Sequence, residues 1–311
     1  MIDILFLIGG LVLLGLGGEG IVHGSVMIAE RLKLSTLLIS TVVVGFGTSM
    51  PEMMVSVQAA LSGSPDISLG NVVGSNICNT VLVLGIAAVI FPIACNSSHI
   101  RRDVFVGVVA ALFLTGLSFT GVINRFAGIA MVSILIAYLS YCIWSEKRKA
   151  KLSEQEFHEV EHKLLVAVPI ALVSIVCLVG GAKLLVLGAT SLAHTFGISE
   201  AIIGLTVVAF GTSLPELATA FSAARKKHSD VVIGNILGSN LFNIFAILGV
   251  TSIVKPIKFI GQIATQDVWI MLATATLLIP MVLTRGKIGR GEGALLLAIY
   301  VGYISWLGYI S

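Results

Sequence analysis

Charge is what this sequence lacks most. Only 11% of its 311 residues are charged, against roughly 25% in an ordinary soluble domain. Hydrophobic residues make up 57%, and the mean hydropathy is +1.04. So little polar surface cannot coat a water-soluble globule, which makes lipid the expected solvent. Signals for metal clusters and redox chemistry are missing too. The four cysteines (Cys78, Cys95, Cys142 and Cys177) show no CxxC spacing and no histidine cluster. They read as small packing residues, with neither a disulfide nor a zinc site expected. There is no HExxH, and the six histidines are scattered, which argues against an intramembrane enzyme. The N-terminal MIDILFLIGG carries Asp3 and no basic residue. It reads as a retained first span, not a cleaved signal peptide.

What is present is a series of apolar runs. A spanning helix needs about 20 mostly apolar residues. Ten segments qualify: 3–27, 36–61, 66–91, 103–120, 123–144, 164–194, 199–224, 230–252, 266–284 and 290–309. Numbering the connections alternately sorts the nineteen basic residues. Fifteen fall on one side, three (Arg125, Lys255, Lys258) on the other, and Lys183 lies inside a span. By the positive-inside rule, the loop 146–163 is cytoplasmic and both termini are outside. One miscounted span would scramble this sorting, so it also supports the count of ten.

The chain repeats itself. At an offset of 164, residues 36–92 align with 200–256 without a gap, with 21 identities in 57 positions. GFGTSMPE (Gly45 to Glu52) matches AFGTSLPE (Ala209 to Glu216). GNVVGSNICN (Gly70 to Asn79) matches GNILGSNLFN (Gly234 to Asn243). Each unit holds five spans. Five is odd, so the second unit enters the membrane from the opposite side. The expected fold is therefore an all-α membrane protein of ten transmembrane helices in two inverted five-helix repeats. The N-terminal repeat occupies 1–145, a linker 146–163, and the C-terminal repeat 164–311. Secondary transporters of this architecture bind their substrates at the repeat interface near the midplane.

The first motif places a proline mid-span. Pro51 and Pro215 each remove a backbone donor and clash with the preceding turn, and a glycine nearby loosens the helix further. The expected result is a break that frees carbonyl oxygens, tolerated at membrane depth only when packed in protein or lining a cavity. Thr48, Ser49, Thr212 and Ser213 add hydroxyls, and Glu52 and Glu216 add carboxylates. All are hard oxygen ligands, suited to calcium or sodium and not to zinc or copper. A structural reading would make each glutamate a protonated or paired residue. An ionised carboxylate at mid-bilayer costs about 2.5 kcal/mol or more, and two at matched positions favour ion binding. For the hydroxyls, the competing reading is a bond to their own helix.

In the second motif, Ser75 and Asn79 share one helix face, as do Ser239 and Asn243. They are expected to line the site, with interhelical hydrogen bonding as the competing reading. Asn71 and Asn235 fall on nearby turns. Asn76 and Asn240 point about 100° away from the serines, which favours a bonding role between helices. Glu19 in span one matches Lys183 in span six. The two should lie in opposite halves of the membrane, unpaired, and snorkel toward headgroups. Asp66, Asp230, Asp103 and Asp267 each begin a span and read as helix caps.

These motifs resemble the two alpha-repeats of the sodium/calcium exchanger family, within the cation/calcium antiporter superfamily, and the likeness extends over essentially the whole chain. The resemblance implies sodium/calcium antiport by alternating access. It implies that Glu52 and Glu216 are ligands shared by both ions. Thr48, Ser49, Thr212, Ser213, Ser75 and Ser239 would contribute oxygens, along with the backbone carbonyls of Gly45 and Ala209. Spans one and six would slide across the remaining core. Several exchangers, including potassium-dependent ones, carry Asp where this chain has Asn243, so the chain looks more like the potassium-independent type. The linker is too short for the regulatory calcium-binding domains of animal exchangers.

The expectation is an antiporter exchanging calcium for sodium in the plasma (inner) membrane. Its partners are the two ions and the lipid bilayer. No cofactor and no nucleic acid are expected, and the chain should work as a monomer. A proton/calcium antiporter and a passive cation channel are the alternatives.

Overall fold

The computed structural model describes residues 2–152, 164–195 and 209–310. Twelve helical segments follow in chain order. They are α1 (Ile2–Leu32), α2 (Thr36–Thr48), α3 (Met50–Leu61), α4 (65–90), α5 (Ser98–Ser118) and α6 (Arg125–Leu152), then α7 (Leu164–Thr195), α8 (Ala209–Thr212), α9 (Leu214–Arg225), α10 (Ser229–Val254), α11 (Val268–Arg285) and α12 (Arg290–Ile310). Among the described residues, seven helices are long and apolar enough to cross a membrane. The pair α2 and α3, bent by 44° at Ser49, adds an eighth. α5 is a further helix of 21 residues. The expected span 199–224 lies partly outside the described residues and enters them as α8 and α9.

Burial sorts these helices into a centre and a rim. In the most apolar stretch of α10, 94% of residues are buried, and in α4 72%, against 28% in α1 and 22% in α6. The rim turns large apolar side chains outward, among them Leu5, Leu11, Phe126, Leu165 and Val176. In water such a surface would drive aggregation; in lipid it costs nothing.

Glycine sets how closely α1 and α7 approach. A β-carbon on Gly10 would meet the Gly181 carbonyl at 2.8 Å, one on Gly17 the Ser174 carbonyl at 2.8 Å, and one on Gly188 the Asp3 carbonyl at 2.7 Å. Contact positions rise along one helix as they fall along the other, so the two are antiparallel. Small residues let backbones touch where dispersion, not water exclusion, holds helices together.

Four two-residue strands tie the loops. β1 (Ile93–Ala94) pairs antiparallel with β4 (Lys287–Ile288), and β2 (Val122–Ile123) with β3 (Ile257–Lys258). Each pair joins the first half of the chain to the second. At the start of α2, Ser35 caps the helix, its hydroxyl accepting from the Leu38 amide at 3.1 Å. Glu146 on α6 holds that cap, accepting from the Ser35 amide at 2.7 Å and its hydroxyl at 2.5 Å.

The aspartates expected as caps do other work. Ser97 caps α5, accepting from the Ile100 amide at 3.2 Å. Asp103 sits inside α5, buried, and accepts from Tyr138 OH at 2.6 Å and Arg102 Nε at 2.8 Å. Asp267, also buried, accepts from Tyr303 OH at 3.2 Å. Each thus ties one helix to the next. Asp230 lies in the first turn of α10, whose N-cap makes no side-chain hydrogen bond. The side chain of Asp66 lies outside the description. Glu19 approaches Lys226 at 3.9 Å, with both groups well exposed, and Lys183 is exposed.

Candidate functional site

The site forms where two helices break. Ser49 and Ser213 leave helical geometry in the same way (φ −81°, ψ 6° and φ −87°, ψ 4°), and α3 and α9 restart just after them with a proline in the first turn. Proline fits there because its missing donor would be unsatisfied anyway. α4 and α10 pack beside the breaks, and each contains a π-helical turn at the matched position, Cys78–Val83 and Phe242–Ile247. Such turns recur at functional sites.

Glu52 and Glu216 are both completely buried. Their serine partners cross between the halves of the chain. Ser49 donates to Glu216 Oε1 at 3.3 Å, and Ser213 donates to Glu52 Oε1 at 3.5 Å. Ser239 lies 3.4 Å from Glu216 Oε1, 3.3 Å from the Gly45 carbonyl and 3.2 Å from the Thr48 hydroxyl. Thr48 is also 3.0 Å from the Val44 carbonyl and 3.1 Å from Asn235 Oδ1. Ser75 faces the Glu52 carboxylate. Asn79 and Asn243 follow one turn after Ser75 and Ser239, fully buried. Thr212 is buried next to Ser213. Ala209 opens α8 and borders residues 196–208, outside the description. The geometry therefore gathers Glu52, Glu216, Thr48, Ser49, Ser213, Ser75, Ser239 and the Gly45 carbonyl, with Asn79 and Asn243 one turn further on. It makes no such statement for Ala209.

Four buried oxygens here have no hydrogen-bond partner among the described residues: Glu52 Oε2, Glu216 Oε2, Asn79 Oδ1 and Asn243 Oδ1. Buried polar atoms are nearly always paired, and none of the ion pairs among the described residues involves either glutamate. Two uncompensated buried carboxylates are expensive. Unpartnered acceptors with two negative charges and no soft ligand are the chemistry of a hard-cation site. No group of three or more His, Cys, Asp or Glu gathers among the described residues, so hydroxyls and amides would complete the coordination.

Two residues without an assigned role in the sequence prove to be braces. Asn71 Nδ2 donates to the Glu52 carbonyl at 3.2 Å, and Asn235 Nδ2 donates to the Glu216 carbonyl at 3.1 Å. Each pins the turn carrying the carboxylate. Their recurrence at the 164-residue offset was the available signal. Asn76 and Asn240 bond across the two halves, Asn243 Nδ2 donating to Asn76 Oδ1 at 3.3 Å and Asn79 Nδ2 to Asn240 Oδ1 at 3.2 Å, in line with their expected bonding role.

A multi-pass helical membrane protein with paired carboxylates on broken central helices is an ion transporter by class. A model of the sodium/calcium exchanger protein family matches residues 2–144 and 166–309, and the chain belongs to that family. It is 36% identical to the putative antiporter CaxA of Alkalimonas amylolytica, covering 97% of this chain and 98% of that one. It is 29% identical to the sodium/calcium exchanger MaX1 of Methanosarcina acetivorans, covering 99% of each. Among solved structures, the sodium-calcium exchanger NCX_Mj soaked with sodium and strontium superposes with a TM-score of 0.86 at 30% identity, covering 98% of both chains. The family is one of exchangers, not of catalytic enzymes.

Proposed function

We propose that this protein exchanges calcium for sodium across the plasma (inner) membrane by alternating access, with both ions using one site between Glu52 and Glu216. The observation that carries this reading is the set of four unpartnered buried oxygens, two from glutamates at symmetry-matched helix breaks and two from asparagines on the π-helical turns beside them. Two carboxylates neutralise one divalent ion or two monovalent ions, which lets the two cation types compete. Thr48, Ser49, Thr212, Ser213, Ser75, Ser239, Asn79 and Asn243 supply further oxygens, together with the carbonyls of Gly45 and Ala209.

The proposed architecture is ten spans in two inverted units, 1–145 and 164–311, joined by a cytoplasmic linker, with both termini outside. The antiparallel packing of α1 on α7 supports it, because these are matched helices. So does the exchange of strands between halves: β1 and β4 would both be cytoplasmic and β2 and β3 both external, as paired strands require. Alternating access then follows from exchanging the conformations of the two units.

Calcium uptake into proteoliposomes tests the function. An outward sodium gradient at clamped pH is expected to drive calcium accumulation. Uptake driven only by a proton gradient would replace this reading with proton/calcium exchange. Uptake that needs no trans ion would make the protein a channel.

A further inference from the structure

An asparagine offers a cation either an oxygen or a nitrogen, and only the oxygen is useful. At Asn243 the orientation is decided by residues outside the ion site. Asn243 Nδ2 donates to Asn76 Oδ1 at 3.3 Å, and Asn76 Nδ2 donates to the Met271 thioether at 3.7 Å. A thioether accepts hydrogen bonds and never donates them. If Asn76 turned over, its oxygen would face the sulfur without a bond and its nitrogen would face Asn243 Nδ2, donor against donor. The polarity of this chain therefore runs one way. It leaves Asn243 Oδ1 buried and without a partner among the described residues, one turn after Ser239, whose hydroxyl lies on Glu216.

The matching chain in the other half lacks that lock. Asn79 Nδ2 donates to Asn240 Oδ1 at 3.2 Å, and Asn240 Nδ2 donates to Thr80 Oγ1 at 3.0 Å. A hydroxyl can accept or donate, so this chain can reverse. At the 164-residue offset, Met271 matches Gly107 and Thr80 matches Ile244, so the duplication is broken at the two terminal acceptors. Asn76, Thr80, Asn240 and Met271 line a cavity of about 20 Å³. That is room for one water, too little for bulk solvent to set the amides.

We propose that Asn76, itself oriented by Met271, is a positioning residue that turns the Asn243 carbonyl oxygen toward the bound cation, giving the second half of the site a fixed neutral oxygen that the first half does not have. This rests on the cation site proposed above, and the test separates the two. Calcium binding to the full-length protein in sodium-free lipid nanodiscs is measured by titration calorimetry. Asn76→Leu is expected to weaken binding roughly tenfold. Met271→Leu, which keeps the volume and removes the acceptor, is expected to weaken it about threefold. Asn243→Asp presents an oxygen in either orientation, so adding either substitution to it should change its affinity by less than about twofold. A structural role would not give this rescue. Equal losses with Asn243 and with Asp at that position, or no loss in either single variant, overturn the proposal. Should Asn76→Leu fail to fold, Met271→Leu carries the same comparison alone. A native protein that binds no calcium would overturn the cation site itself, and this proposal with it.

Discussion

Glu52→Gln and Glu216→Gln are each expected to abolish exchange while leaving the protein inserted and at least as stable as before. The two effects have opposite signs for one reason. Each carboxylate is completely buried with one oxygen unpartnered. Removing its charge relieves a desolvation penalty in the ion-free protein and takes away half of the negative charge proposed to hold the cation. Losing one member of a buried charge pair costs about 2–5 kcal/mol of binding, which is about thirtyfold to several thousandfold in affinity. The amide keeps the shape of the acid, so Ser49 and Ser213 retain an oxygen to donate to. Flux in proteoliposomes and thermal melting without ions measure the two effects. Retained flux in either variant, or melting well below the native protein, would contradict the assignment.

Gly18→Val is expected to slow transport by on the order of tenfold while calcium still binds. Gly18 lies on α1 where that helix crosses α9. A β-carbon there would meet the Ala218 carbonyl at 2.7 Å and the Ser222 hydroxyl at 2.8 Å. The neighbours are backbone and a short side chain, which cannot swing aside. If α1 and α7 move as a pair against the central helices, this contact is a sliding surface, and a branched side chain wedges it. Overpacking typically costs about 1–3 kcal/mol. Here the strain would differ between the two facing states, trapping the state that relieves it. Calcium affinity is expected to stay within about threefold while turnover falls by on the order of tenfold. Equal loss of binding and turnover would place the damage in the site instead.

Much of this was legible in the sequence, for local reasons. A proline four residues after a glycine in an apolar run kinks or breaks a helix, so Pro51 and Pro215 announced the breaks at Ser49 and Ser213. The duplication could be read because matched helices need matched residues. What depended on distant partners could not be read. Asp103 and Asp267 look like caps by position, and only the approach of Tyr138 and Tyr303 makes them helix-to-helix acceptors. The π-helical turns have no sequence signature beyond the motif that contains them. The polarity of the Asn243 amide depends on Met271, 28 residues away in the chain and on another helix. Nor did the spacing reveal that each serine of the first motif serves the glutamate of the opposite half.

That crossing is why both ions should share one site. The most direct test is calcium binding to the purified protein at rising sodium, in constant ionic strength and at fixed pH. Competition at one site predicts that sodium raises the apparent calcium dissociation constant without limit and more steeply than in proportion to its concentration, since more than one sodium must displace one calcium. A plateau, with calcium still bound at saturating sodium, would mean separate sites and contradict the account.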